Sequence, residues 1–312
     1  MRMKLHSSAF PVASLLLTFF VNTACINKMI VAGVGGAMQK GRVAFEREPD
    51  LEIAETALGS NLKLLEAILE QDPENLPMNL FLSEGYALYS LAFVEDKFEE
   101  LEFSNPRLAE YHKKRAIRFY NRSRDYAARA ILKKMNLAVI TEIRQDNLRA
   151  YLEKTTKDEA GALFWFAFSW GAAINLQRDD VGQLASLPFI EIIMNRVKQL
   201  DDQYYFGGVY LFEGMYYGGR PPMLGGDMER SKNAFEKALS ISNKKILLVS
   251  YYYARNYCIQ IQDRDCLLKR LDFVINSPDD IFPDQMLANA LAKRKAQRLY
   301  QRIPDYFIED EK

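Results

Sequence analysis

From Leu51 onward, apolar residues recur at intervals of three and four, the period of a helix buried along one face. Leu58, Leu62, Leu65, Ile68 and Leu69 form one such stripe. Gln71-Asp72-Pro73-Glu74-Asn75 ends it, because proline lacks the N–H that continues the ladder and disfavours helix in the residue before it. The same period predicts helices over 80–94, 107–135, 160–176, 189–200, 227–241, 247–260, 266–275 and 284–300. The second of these is long and charged; the third is unusually aromatic. Strand-like alternation is scarce, so the expected fold class is all-α.

These helices pair, and some carry a repeat signature. The second helix of a tetratricopeptide (TPR) unit wants a small residue, a large one four later and alanine three later. Ser231-Phe235-Ala238-Leu239 fits well, Ser123-Ala127-Ala130-Ile131 in part and Asn61-Leu65-Ile68-Leu69 loosely. Gly85, Gly171 and Gly207-Gly208 lie in the preceding helices, where a small residue lets two helices approach. The spacing between units is irregular. The expected architecture is therefore degenerate TPR-like helical hairpins forming one solenoid-like domain over 51–312.

The first residues follow another pattern. Arg2 and Lys4 precede a nearly unbroken apolar run, 10–21, shorter than the ~20 residues of a spanning helix. It reads as the core of a signal peptide. The run ends in Asn22-Thr23-Ala24-Cys25, the pattern of a lipoprotein signal in which the cysteine is acylated and becomes the first mature residue. The competing reading is an ordinary secretory signal with a cysteine nearby. The division is thus 1–24 signal peptide, 25–50 tether and start of the first helix, and 51–312 helical domain. Either reading places the mature chain outside the cytoplasm. Ile26 instead of aspartate after Cys25 argues for the outer membrane over inner-membrane retention.

Composition narrows the chemistry. Lysine plus arginine equals aspartate plus glutamate, 41 each, so no bulk charge favours nucleic acid. The basic run Lys113-Lys114-Arg115 through Arg129 reads as a solvated helix face beside Glu99, Glu100, Glu102 and Glu110. Of two histidines, His6 lies in the expected signal, leaving His112. Histidine-rich metal sites and histidine-dependent triads are poor fits. Gly33 to Gly41 matches neither a dinucleotide fingerprint nor a P-loop. The expectation is no cofactor, no metal and no catalysis.

Two groups of side chains invite a binding reading. Phe164, Trp165, Phe166, Phe168 and Trp170 crowd one helix, whose successive residues point about 100° apart. They cannot share one face, so some must meet a second apolar space, either another helix layer or a cavity. Tyr204, Tyr205, Phe206, Tyr210, Phe212, Tyr216 and Tyr217 repeat the theme with polar ends suited to a partly wet lining or an interface. Trp165, Trp170, Tyr204, Tyr205, Tyr210 and Tyr217 are the candidate cavity wall, with Arg220 as a fork for a carboxylate. Cys258 and Cys266 flank a turn-like Gln262-Asp263-Arg264-Asp265 that would bring them face to face; bridged and free thiols both stay open.

Several segments together carry a family resemblance. They are Leu62 to Leu69 with Asp72-Pro73, Glu84-Gly85-Tyr86, Ala92-Phe93-Val94-Glu95, Phe164-Trp165 with Trp170-Gly171, and Tyr204 to Gly208. Arg220-Pro221-Pro222-Met223-Leu224-Gly225-Gly226-Asp227 is the most specific, followed by Ala234 to Leu239 and Leu287 to Lys293. The chain resembles the TatT family, the tetratricopeptide-containing T component associated with TRAP transporters, from about its fiftieth residue onward. Asn22 in the lipobox and Ser231 in place of alanine depart from the pattern. The resemblance implies a periplasmic lipoprotein and homotrimer with an apolar pore or cavity. It further implies a hydrophobic or organic-acid ligand, a TRAP solute-binding protein as partner, and no catalytic residues. A general TPR scaffold for envelope assembly, with no small ligand, is the alternative.

Overall fold

A computed structural model describes residues 11–131 and 144–307, with backbone alone for 11–25 and 27. Among the described residues the regular structure is entirely helical. In chain order the helices are α1 (Pro11–Glu46), α2 (Leu51–Leu69), α3 (Leu76–Tyr89), α4 (Asp96–Leu101), α5 (Pro106–Ile131), α6 (Gln145–Leu152) and α7 (Ala160–Asn175). There follow α8 (Val181–Leu184), α9 (Leu187–Leu200), α10 (Tyr204–Gly218), α11 (Met228–Ile241), α12 (Leu247–Tyr253), α13 (Arg264–Asn276) and α14 (Met286–Gln301).

Local chemistry sets several of the starts. Asp50, Asn75, Asp227 and Asp263 each turn a side-chain oxygen onto amides of the first turn that have no intrahelical partner. The helix expected over 107–135 runs to Ile131, and its last four positions lie outside the described residues. Helical backbone runs from Pro11 to Glu46, across part of the expected signal segment and most of the 25–50 stretch read as tether and helix start. Val31 is fully buried there and Gly35 faces the end of Met78, so packing on α3 offsets the weak propensity of its glycines.

Helices α3 and α5, α7 and α9, α10 and α11, and α12 and α13 form successive hairpins. The first members, α3, α7, α10 and α12, stand side by side, and α5 wedges against both α3 and α7. That wedge is tight because Ser83, Ser123 and Ser169 meet with Oγ of Ser123 2.6 Å from Oγ of Ser169. The Oγ of Ser123 also donates to the carbonyl of Ser83 at 2.7 Å. The repeat-like quartet Ser231, Phe235, Ala238 and Leu239 is wholly buried, with the Ser231 hydroxyl on the Gly214 carbonyl. Serine in place of alanine is thereby satisfied.

The array curls until its ends meet. Helix α14 packs on α12 and α13 and also reaches α1 and α2. A buried ion cluster fastens it to α4. Lys295, with no exposed surface, lies 2.5 Å from Glu99 and 3.3 Å from Asp96. Arg298 reaches Asp96 at 2.6 Å and Glu99 at 3.0 Å, Arg294 reaches Asp96 at 2.8 Å, and Arg255 reaches Glu99 at 2.5 Å. The curl leaves a lumen between the first members of the hairpins.

Candidate functional site

The lumen is a mostly apolar cavity of about 710 Å³, within the ~300–1,000 Å³ of small-molecule sites. On α7, Phe164, Trp165, Phe168, Ala172 and Asn175 turn toward it, spaced by three or four as one helix face requires. Phe166 and Trp170 turn the other way into the packed core, their ring centres 5.8 Å apart. The crowded aromatics thus serve two apolar spaces. On α10, Leu211, Phe212, Met215 and Tyr216 supply the facing wall.

Of the residues singled out from sequence, Trp165, Tyr205 and Arg220 line the cavity. The structure places the other four elsewhere. Tyr204 stands behind the wall, its hydroxyl accepting a bond from the indole of Trp165 at 3.0 Å. Trp170 belongs to the core. Tyr210 and Tyr217 lie on the opposite side of α10, donating to Asp202 at 3.0 Å and Glu191 at 2.6 Å. Cys258 and Cys266 are joined as a disulfide with Cα atoms 5.6 Å apart, because the chain reverses at Gln262, where φ is 55°.

The backbone at Tyr205 is unusual. Tyr205, Phe206 and Gly207 adopt the left-handed conformation in succession, with φ of 49°, 58° and 77°. For the two non-glycine residues this costs roughly 1–2 kcal/mol each. The kink swings Tyr205 against Trp165, ring centres 4.9 Å apart, and against Arg42, 5.7 Å from its ring.

Charged residues that were not among the candidate cavity residues complete the wall. At the Tyr205 end, Arg42 pairs with Glu46 at 2.8 Å and Glu84 at 3.0 Å. Burial pushes the Glu84 carboxyl up to about 7; Arg42 opposes that shift and Glu46 adds to it. Eleven residues along, the π-helical turn Ser90–Glu95 carries Glu95 to the other end. Burial and then the neighbouring Glu99 raise its pKa above the ordinary carboxylate value, while it accepts a hydrogen bond from Tyr120. A second π-helical turn, Ala254–Cys258, brings Arg255 and Asn256 to the same end. Such turns recur at functional sites because the extra residue re-aims side chains. Glu84 and Glu95 did leave a trace, as acids within an otherwise apolar helical stretch. Arg42 left none, because its segment lacked a clear period.

Among the described residues there is no cluster of three or more histidine, cysteine, aspartate or glutamate side chains placed to hold a metal. No described helix is long and apolar enough to cross a membrane. The family model that matches the chain is described as the TRAP transporter T-component and covers residues 47–307. A protein of Treponema pallidum (strain Nichols), described as uncharacterized, is 24% identical over 268 residues, spanning 85% of this chain and 83% of its own.

Proposed function

The chain belongs to the TRAP transporter T-component family, and from that premise we propose that it is a ligand-handling accessory lipoprotein of a TRAP system. Membership makes it a transporter-associated component of the cell envelope and not a member of an enzyme family. In this reading Cys25 carries the lipid, with the outer membrane as the favoured site. The helical hairpins are degenerate TPR units exposed to the periplasm. The mature chain forms a homotrimer, binds a hydrophobic or organic-acid ligand, and docks the solute-binding protein of the transporter.

The observation that carries the reading is the mostly apolar cavity. A tethered helical array without a nucleotide loop has no means of driving solute across a bilayer. It can hold or present a ligand to a partner that does. Repeat arrays supply extended surfaces for such docking.

The test is analytical ultracentrifugation of the soluble mature form with the solute-binding protein encoded beside it, paired with mass spectrometry of organic extracts. The expected result is a saturable complex and a co-purifying apolar compound. Independent sedimentation at tens of micromolar, with and without ligand, would return the protein to a general scaffold role.

A further inference from the structure

The cavity has unlike ends. The first members of the hairpins run alongside one another, so contacts near their starts and near their finishes mark its two poles. Near the starts lie Trp165, Tyr205 and Glu84, with Arg42 and Glu46 above them. Among the described residues at that pole Arg42 is the only cation; it is already paired, and carboxylates outnumber it. Near the finishes lie Arg178, Arg220 and Arg255.

Arg255 is engaged by Glu99. Among the described residues the other two arginines have no carboxylate within ion-pair distance. Arg178, exposed at the rim beyond the end of α7, bonds Asn175 alone among them, through its side-chain oxygen and its carbonyl. The guanidinium carbon of Arg220 stands over Tyr216, 3.4 Å from the ring centre, and its Nε donates to the Tyr216 carbonyl at 2.8 Å. Its Nη2 is buried without a hydrogen-bond partner, as is Oδ1 of Asn256.

Arg220 and Asn256 adjoin one another, and Arg178 lines the same cavity. Asn256 follows Arg255 in the chain and lies so close to Gly218 and Gly219 that a methyl on Gly218 would meet the Asn256 carbonyl at 2.4 Å. Gly219 leads directly into Arg220. Among the described residues, the carboxylates that line the cavity at this pole are Glu95, which accepts from Tyr120, and Glu191, which accepts from Tyr217 and lies 3.7 Å from Arg230. A buried guanidinium donor left unmatched is costly, and a planar oxyanion satisfies it with a charge-assisted bond.

Resting on the cavity-binding reading above, we propose that the ligand is an amphipathic monocarboxylate held in one orientation. Its carboxylate lies between Arg178 and Arg220, and its apolar tail runs between the aromatic walls toward Trp165 and Tyr205. The ten residues from Trp165 to Asn175 set a tail space of ~15 Å.

Dodecanoate and dodecanol are the probes, titrated calorimetrically into the full mature chain. The carboxylate should bind at least about tenfold more tightly than the alcohol. In Arg178→Gln and Arg220→Gln that ratio should collapse toward unity. Dodecanoate brominated at its tail should quench indole fluorescence more than dodecanoate brominated beside its carboxylate, a comparison that needs no variant. Equal affinity for the two probes in the wild-type protein, or stronger quenching by the head-brominated compound, overturns the orientation and leaves the cavity reading standing. Failure of both probes to bind overturns the two together.

Discussion

Replacing Glu99 by glutamine tests whether the buried ion cluster holds the helical ring closed. The Glu99 side chain is 10% exposed and touches three cations: Lys295 and Arg255 at 2.5 Å each, and Arg298 at 3.0 Å. Glutamine keeps one acceptor oxygen and turns an NH₂ donor toward those cations. Among the described residues Asp96 is then the one carboxylate within ion-pair distance of Arg294, Lys295 and Arg298, at 2.8, 3.3 and 2.6 Å. Removing one member of a buried pair costs about 3–5 kcal/mol. With Asp96 still in place the lower figure applies, about 3 kcal/mol in urea unfolding. Adding Lys295→Met should recover part of the loss, with a coupling of about 1.5 kcal/mol or more. Amide exchange along α14 should quicken in the single variant.

The acid limb gives a second readout. Burial works against ionised Glu99, but Lys295 and Arg255 override it and hold the carboxyl far below the usual carboxylate range. Its stabilisation is therefore present above the unfolded pKa of about 4.3 and is lost as pH falls through the folded value. The wild type should lose stability more steeply than Glu99→Gln below about pH 4. A loss under about 1 kcal/mol at neutral pH, with additive behaviour in the double variant, would refute the closure argument.

Glu84 carries the opposite sign. Its folded pKa of about 7 exceeds the unfolded value of about 4.3, so stability falls as pH rises between the two. Glu84→Gln should flatten that slope and add about 2 kcal/mol at pH 8; an unchanged slope rejects the assignment. Gly218→Ala drives a methyl to 2.4 Å from the Asn256 carbonyl and should cost about 1–3 kcal/mol in a melting comparison, so a neutral result counts against the close approach. Titration of the denatured, unreduced protein should find no free thiol at Cys258 or Cys266, and reduction should cost about 2–3 kcal/mol for so short a loop. Cys25→Ser should abolish fatty-acid labelling and membrane partition; retention of both excludes that residue as the anchor.

What the chain settles locally could be read without coordinates. The interval of apolar residues, the proline after Gln71 and the aspartate ahead of Met228 place helices and breaks, because each acts within a few residues of itself. The excess of aromatics over one helix face at Phe164 to Trp170 required a second apolar space, for the same local reason. Which residues look into that space is another matter. Tyr205 lines it and Tyr204 does not because three left-handed residues kink the backbone, and packing rather than propensity sustains them. Arg42 reaches the wall because α1 docks across α3. Glu99 meets Lys295, 196 positions away, only because the array curls shut. A side chain's partners across such separations depend on the sum of many small crossing angles between helices. No single segment of the sequence encodes that sum, so tertiary structure alone decided the poles of the cavity and the residues that guard them.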